Sequence, residues 1–225
     1  MHAVRLDLHD RSSVRDAFAI GTQESGGFDV LINNAGGGHF GPAEQLSPDM
    51  LQEQFEMLVF AHVELCRLAI ASMKQRANGG LIINVTSLAA RLPVPYMAAY
   101  NAAKAAMASF TMSLQLELGN SRIRIVDLQP GDISTSFNDS VRNENARTPD
   151  AEDRVTRAWN VVDRNMKQAP KPDLVAQRVL ALITDPAPPP RVTVGDAFQA
   201  AVAPFIYRLL PQRVRLWGLK RYYGI

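Results

Sequence analysis

Short apolar runs alternate along the chain with longer stretches in which apolar residues recur every three or four positions, the signatures of strands and of amphipathic helices. "HAVRLDL" reads as a strand ending at Asp7, "DRSSVRDAFAIGTQ" as a helix, and "FDVLINNAG" as a buried strand that runs into glycines. Ser47-Pro48-Asp49 starts the next helix, since serine can cap free amides and proline suits the first helical position. That helix runs to about Arg76, where Asn78-Gly79-Gly80 stops it. "GLIINVTS" is a strand, the stretch from about Ala98 to Leu118 a helix, "RIRIVDLQPG" a strand and "DLVAQRVLALIT" a helix. "RVTVG", after a Pro-rich link, reads as a last short strand. This alternation predicts an α/β fold: a Rossmann-like parallel sheet with helices on both faces, in a single domain spanning residues 1–225.

Two segments depart from the pattern. Residues 138–172 are polar, with one weak helical pattern around Val155–Val162. They read either as a cover over a ligand site or as a solvated surface excursion. The tail beyond Asp196 (residues 197–225) has no acidic residue but carries Arg208, Arg213, Arg215, Lys220 and Arg221 among aromatics and leucines. It either lies on an anionic membrane surface or packs on the fold or a partner subunit, and packing is the favoured reading.

Composition narrows the function classes. A net charge of +2 gives no global argument for nucleic acid, and none is expected as a partner. The lone cysteine, Cys66, excludes an internal disulfide framework and fits a reducing compartment, with a structural thiol preferred over a nucleophile. His2, His9, His39 and His62 show no ligand spacing with cysteine, so no metal site is expected. With no signal segment and no run long enough to span a bilayer, a cytoplasmic location is the default expectation.

The chemistry concentrates in "MAAYNAAKAA". On a helix Tyr100 and Lys104 share a face, so both can act on one bound molecule. An ammonium near a phenol favours the phenolate, which would bring a tyrosine within range as an acid or base for carbonyl–alcohol interconversion. Ser87 closes the strand "GLIINVTS" on the ligand edge of a parallel sheet, where its hydroxyl can bond a substrate oxygen. "NNAG" (Asn33 to Gly36) and "PGDIST" (Pro130 to Thr135) end two further strands along that edge.

In this order (an aspartate closing a strand, NNAG, a serine, Tyr-x-x-x-Lys, then Pro-Gly with a threonine four residues after the glycine) the chain resembles the short-chain dehydrogenase/reductase family. The resemblance implies an oxidoreductase that uses NAD or NADP to interconvert a ketone or aldehyde and an alcohol. It implies that Tyr100 passes the proton, that Lys104 tunes Tyr100 and holds the nicotinamide ribose, and that Ser87 orients the substrate. Pro130, Gly131 and Thr135 would meet the nicotinamide carboxamide and Asp7 the adenine, while Asn33, Ala35 and Gly36 would brace the sheet beside the cofactor. It also implies a homodimer or homotetramer. "LPVPYMAAY" suggests an apolar wall near the site, hence an apolar substrate.

Two departures stand beside these matches. The family's T-G-x-x-x-G-x-G turn, which holds the pyrophosphate at a helix N-terminus, has no counterpart here, and the chain reads as beginning at the family's third strand. "HAVRLDL" is then expected either to move beside "DVLINN" or to leave the sheet to be completed by a second chain. Second, "FEMLVFA" places Leu58 where the family has a catalytic asparagine and Ala61 where it has a glycine. Three readings result: an active oxidoreductase, a truncated relative retained as a binding or scaffold protein, or a chain whose absent segment is encoded upstream of Met1.

Overall fold

The computed structural model describes residues 2–76, 79–137, 141–143 and 154–225. In chain order the elements are α1 (Arg11–Ser25), β1 (Val30–Asn33), β2 (Gly38–Phe40), α2 (Pro48–Phe55), α3 (Ala61–Arg76), β3 (Gly80–Val85), α4 (Ala98–Glu117), β4 (Ile123–Pro130), β5 (Val141–Asn143), α5 (Arg154–Gln168), α6 (Asp173–Thr184), β6 (Arg191–Val194), α7 (Ala203–Leu209) and α8 (Gln212–Tyr223). Helical turns join α2 to α3 and lead into α7.

The sheet is parallel, in the order β1-β3-β4-β6, with Ile82 opposite both Leu31 and Ile125. Such strands are buried on both faces, which is why β3 and β4 read as nearly continuous apolar runs. Ile82 and Ile125 meet Cys66, Ala69 and Met73 of α3 and Met107 and Leu114 of α4 on one face. Ile83, Val126 and Leu128 meet Leu182 of α6 on the other, with Val175 and Val179 of α6 packed alongside.

Buried polar groups tie these layers together. Asn33 at the end of β1 donates to the Asn84 side chain (2.8 Å), and Asn84 donates to Thr111 of α4 (2.9 Å). Thr111 in turn donates to the Met107 carbonyl (2.7 Å). On the neighbouring strand Asp127 accepts from Thr86, Gln129 and Arg191. A carboxylate so enclosed needs such donors, because an unpaired buried charge is very costly.

Of the two arrangements expected at the N-terminus, the shifted strand does not form. Residues 2–7 are mostly exposed and make no strand, and β1 pairs on one side only. Val4, Leu6 and Leu8 would share one face of an extended chain, but a strand also needs a partner edge and a surface to cover that face, and here only Leu8 joins a core cluster. Leu8 alone packs inward, beside Val14 of α1 and Ala61 and Leu65 of α3. The Asp10 side chain caps α1 at Ser12, and α1 lies on α3 rather than crossing to set a new strand beside β1. Ile32 of β1 is left 41% exposed on the free edge.

The expected helix from Ser47 to Arg76 forms in its entirety, but not as one regular helix. The Ser47 hydroxyl caps α2 at the Met50 amide (3.2 Å), and a π-helical turn over Glu56–Phe60 then interrupts it. The ladder of β2 with β5, pairing Gly38 with Val141, was not anticipated either. It links the loop after β1 to the segment after β4. Of the 138–172 segment, α5 is described, whereas residues 138–140 and 144–153 lie outside the described residues.

The Asn84 bridge can be tested by replacement. Asn84→Leu leaves Asn33 and Thr111 buried without their partner and should lower the unfolding free energy by about 3 kcal/mol, read from the shift in denaturant midpoint at unchanged slope.

Candidate active site

The carboxyl ends of the strands open into a cavity of about 970 Å³. Val85, Thr86 and Ser87 after β3, Tyr100 and Lys104 of α4, and Pro130 to Ile133 after β4 form its floor and walls. Asn34 and Gly36 line it from the loop after β1. Trp159 and Met166 of α5, with Ile206, Leu210, Val214 and Tyr223 from the tail, close it on the other side.

The cavity takes its shape from how α4 is seated. α4 crosses the end of β3 with its apolar residues inward, and the i, i+4 spacing brings Tyr100 and Lys104 onto the face that meets the cavity. The Lys104 ammonium donates to the Val85 carbonyl (2.9 Å) and lies 5.8 Å from the Tyr100 ring centroid. Ser87 stands beside Tyr100, near enough to oppose the rise in the phenol's pKa, and the Ser87 hydroxyl accepts from the Ala89 amide (3.1 Å). Serine, tyrosine and lysine thus share one cavity.

Electrostatics differ from the simple expectation that lysine pulls the phenol down. Burial pushes the Tyr100 pKa above its ordinary value; the Ser87 side chain works against this, and the Asp132 carboxylate reinforces it. Burial also lowers Lys104 to about 8, with Asp127 opposing the shift. Desolvation is thus the leading influence on both groups. Tyr100 is therefore held protonated across the neutral range.

Leu58 is fully buried in the π-helical turn, and its side chain fills the space beside Gly36. A Cβ on Gly36 would lie 2.8 Å from Leu58 Cδ2 and 4.0 Å from Lys104 Nζ. The asparagine position of the resembling family is thus occupied by a packed leucine side chain, which has no polar atom of its own to hold a water.

The remaining expected residues divide. Pro130, Gly131 and Thr135 line the cavity, and the Thr135 hydroxyl accepts from the Phe137 amide (3.2 Å). Asn33 lies beneath the cavity in the polar bridge of the sheet, and Ala35 is exposed outside the cavity lining. Asp7 is not part of the lining; it is exposed, and its carboxylate accepts from the His9 amide (2.9 Å).

Sequence reasoning missed Gln199, Asp132 and Trp159. Gln199 accepts from the Asp132 amide (2.9 Å) and donates to the Asp132 carboxylate (2.6 Å), fixing the Gly131 turn from the tail. A Cβ on Gly131 would run into the Gln199 side-chain oxygen, so a larger residue there would push that amide off Asp132. Trp159 packs edge-on against Phe40 (4.8 Å between centroids), anchoring α5 over the cavity. "PGD" held a signal for Asp132, whereas Gln199 and Trp159 are distant in sequence and follow no spacing.

The site fits the nicotinamide half of a dinucleotide. Lys104 offers donors at the cavity floor, and the glycines at 36 and 131 let backbone approach where a Cβ would not fit. Among the described residues no glycine-rich strand-to-helix turn faces the cavity to take the pyrophosphate.

Comparison with known proteins agrees with this geometry. The family described as short chain dehydrogenase matches residues 1–146. The chain is 28% identical over 222 residues to the 3-ketodihydrosphingosine reductase of Bacteroides thetaiotaomicron, covering 98% of this chain and 82% of that protein. It is 29% identical over 222 residues to dehydrogenase/reductase SDR family member 7B of Bos taurus, covering 94% and 63%. Among solved structures, a short-chain dehydrogenase from Streptomyces avermitilis superposes with a TM-score of 0.79 at 24% identity, covering 98% of this chain and 78% of that one. A 3-ketoacyl-(acyl-carrier-protein) reductase from Brucella melitensis, complexed with NADH, gives 0.73 at 25% identity, covering 88% and 78%. With the family match extending over more than half its length and the same fold in those structures, the chain belongs to the short-chain dehydrogenase family.

Proposed function

We propose that the protein is a carbonyl reductase acting on an apolar ketone with a nicotinamide dinucleotide. The observation that carries this reading is the grouping of Ser87, Tyr100 and Lys104 in one apolar-walled cavity. When bound, the dinucleotide supplies the hydride; NAD and NADP are both compatible with the residues present. Lys104 would hold the nicotinamide ribose, and Gly131 and Thr135 would meet the carboxamide.

The chain's own residues supply the rest. Ser87 donates to the substrate carbonyl oxygen and fixes its position against Tyr100. Tyr100, kept protonated by burial, transfers its phenolic proton to that oxygen as negative charge develops there. Lys104 lies close enough to stabilise the phenolate left behind. The elevated phenol favours the reductive direction at neutral pH, because oxidation of an alcohol would require a phenolate first. Leu92, Met97 and Trp159 exclude water and favour an apolar substrate, and two of the similar proteins are named as reductases of 3-keto compounds. A homodimer or homotetramer remains the expected assembly, and Met112 and Leu116 form an exposed apolar pair on α4 that such contacts could bury.

A second reading, a family member that binds ligand without turnover, is favoured by Leu58, which packs against Gly36 at the position of the family's asparagine and has no donor or acceptor of its own for a proton relay. Titration with NADH and NADPH, followed by nicotinamide fluorescence, separates the two. Binding of either is expected; no binding of either at millimolar concentration would leave only the second.

Given binding, Tyr100→Phe should reduce ketone reduction by about 10²- to 10⁴-fold while leaving dinucleotide affinity nearly unchanged. The pH dependence has a definite sign. Lys104 is charged below about pH 8 and neutral above it. Affinity for the anionic dinucleotide should therefore be constant at lower pH and fall above that point, by at most about tenfold per pH unit. Lys104→Met should bind weakly at all pH values and lack the fall.

A further inference from the structure

The tail packs on the fold, as favoured from its sequence, but only with one side. Ile206, Leu210, Val214 and Leu219 turn toward the cavity, and Tyr222 accepts from Asn165 of α5 (2.7 Å). The opposite side is also apolar. Val202, Phe205 and Leu209 recur at helical spacing and are 42%, 65% and 68% exposed, and Trp217 on α8 is 66% exposed. A helix apolar on both sides is ordinarily buried on both sides, and a cluster of exposed large apolar residues marks an interaction surface.

The hairpin carrying these residues is rigid. Arg215 donates to the Leu210 carbonyl (2.6 Å) and the Arg208 carbonyl (3.0 Å), and its guanidinium stacks over Tyr207 at 4.8 Å. This satisfies the open carbonyls at the end of α7 and fixes α8 against it. The exposure is thus a property of a built element and not of a frayed end.

Charge selects the partner. Arg208, Arg213, Lys220 and Arg221 are exposed, have no ion pair among the described residues, and share the tail with no acidic residue. A second copy meeting this face would bring like charges together. An anionic bilayer would receive all four cations while its acyl region received the phenylalanine, leucine and tryptophan. α7 and α8 have 7 and 12 residues, too short to span a bilayer, and among the described residues no helix is long and apolar enough to cross one.

From these features we propose that the outer face of α7 and α8 docks the protein onto the surface of a bilayer containing anionic lipid. Ile206 and Val214 line the cavity and are also partly exposed, so the docked face and the cavity share a wall one side chain thick.

The test is flotation of the full chain with vesicles of phosphatidylcholine alone and of phosphatidylcholine mixed with phosphatidylglycerol, without substrate or dinucleotide. Binding should be at least about tenfold stronger to the mixed vesicles and should weaken with added salt. The triple variant Phe205→Ser, Leu209→Ser, Trp217→Ser should lose flotation at an unchanged thermal midpoint, since none of the three lines the cavity. Replacing Arg208, Arg213, Lys220 and Arg221 with glutamine should abolish the preference for anionic vesicles. Failure of the wild type to float, equal binding to both vesicle types, or flotation retained by the triple variant would each overturn the proposal. So would a wild-type dimer that the triple variant dissociates, which would assign the face to a second copy.

Discussion

The attachment of α4 to the end of β3 is the constraint on which the site depends. Two side chains make it: Lys104 reaches the Val85 carbonyl, and Thr111, two turns further on, receives the Asn84 amide. Both bonds are buried, where an unmade bond is costly, so the helix cannot slide or rotate without losing them. Tyr100 is carried on that helix and Ser87 on the residues just beyond that strand. Their proximity follows from the same seating. One packing contact therefore sets the relative position of all three groups.

Burial that makes this arrangement precise also changes its chemistry. Desolvation raises the phenol and lowers the amine, while the Asp132 carboxylate adds to the first shift and that of Asp127 opposes the second. A protonated tyrosine next to a serine hydroxyl is poised to give up a proton. Direction of reaction and burial of the site are thus linked. The same burial comes from the cover of α5 and the tail, whose apolar inner faces close the cavity.

Much of the fold was legible because its elements have unambiguous local patterns. α6 occupies the residues read for it, and α4 ends within a residue of its expected stop, since each carries a full apolar periodicity between clear boundaries. "HAVRLDL" has strand composition yet forms none, because pairing needs a neighbour and a buried face, neither of which composition reports. β2 and β5 are three residues each, pair across about a hundred positions, and carry no local mark of it. The π-helical turn at Leu58 is invisible in a periodicity that looks continuous.

The sequence by itself determined the parallel sheet, the family, and the helical face shared by Tyr100 and Lys104, because these depend on local period and short spacings. Only the tertiary structure decided that burial would raise the phenol's pKa, that Leu58 would pack against Gly36, and that Gln199 would reach back to fix the turn at Gly131. It also decided that the tail would face both the cavity and the outside. These outcomes depend on which distant groups come within a few ångströms and how much water they exclude, and chain spacing encodes neither.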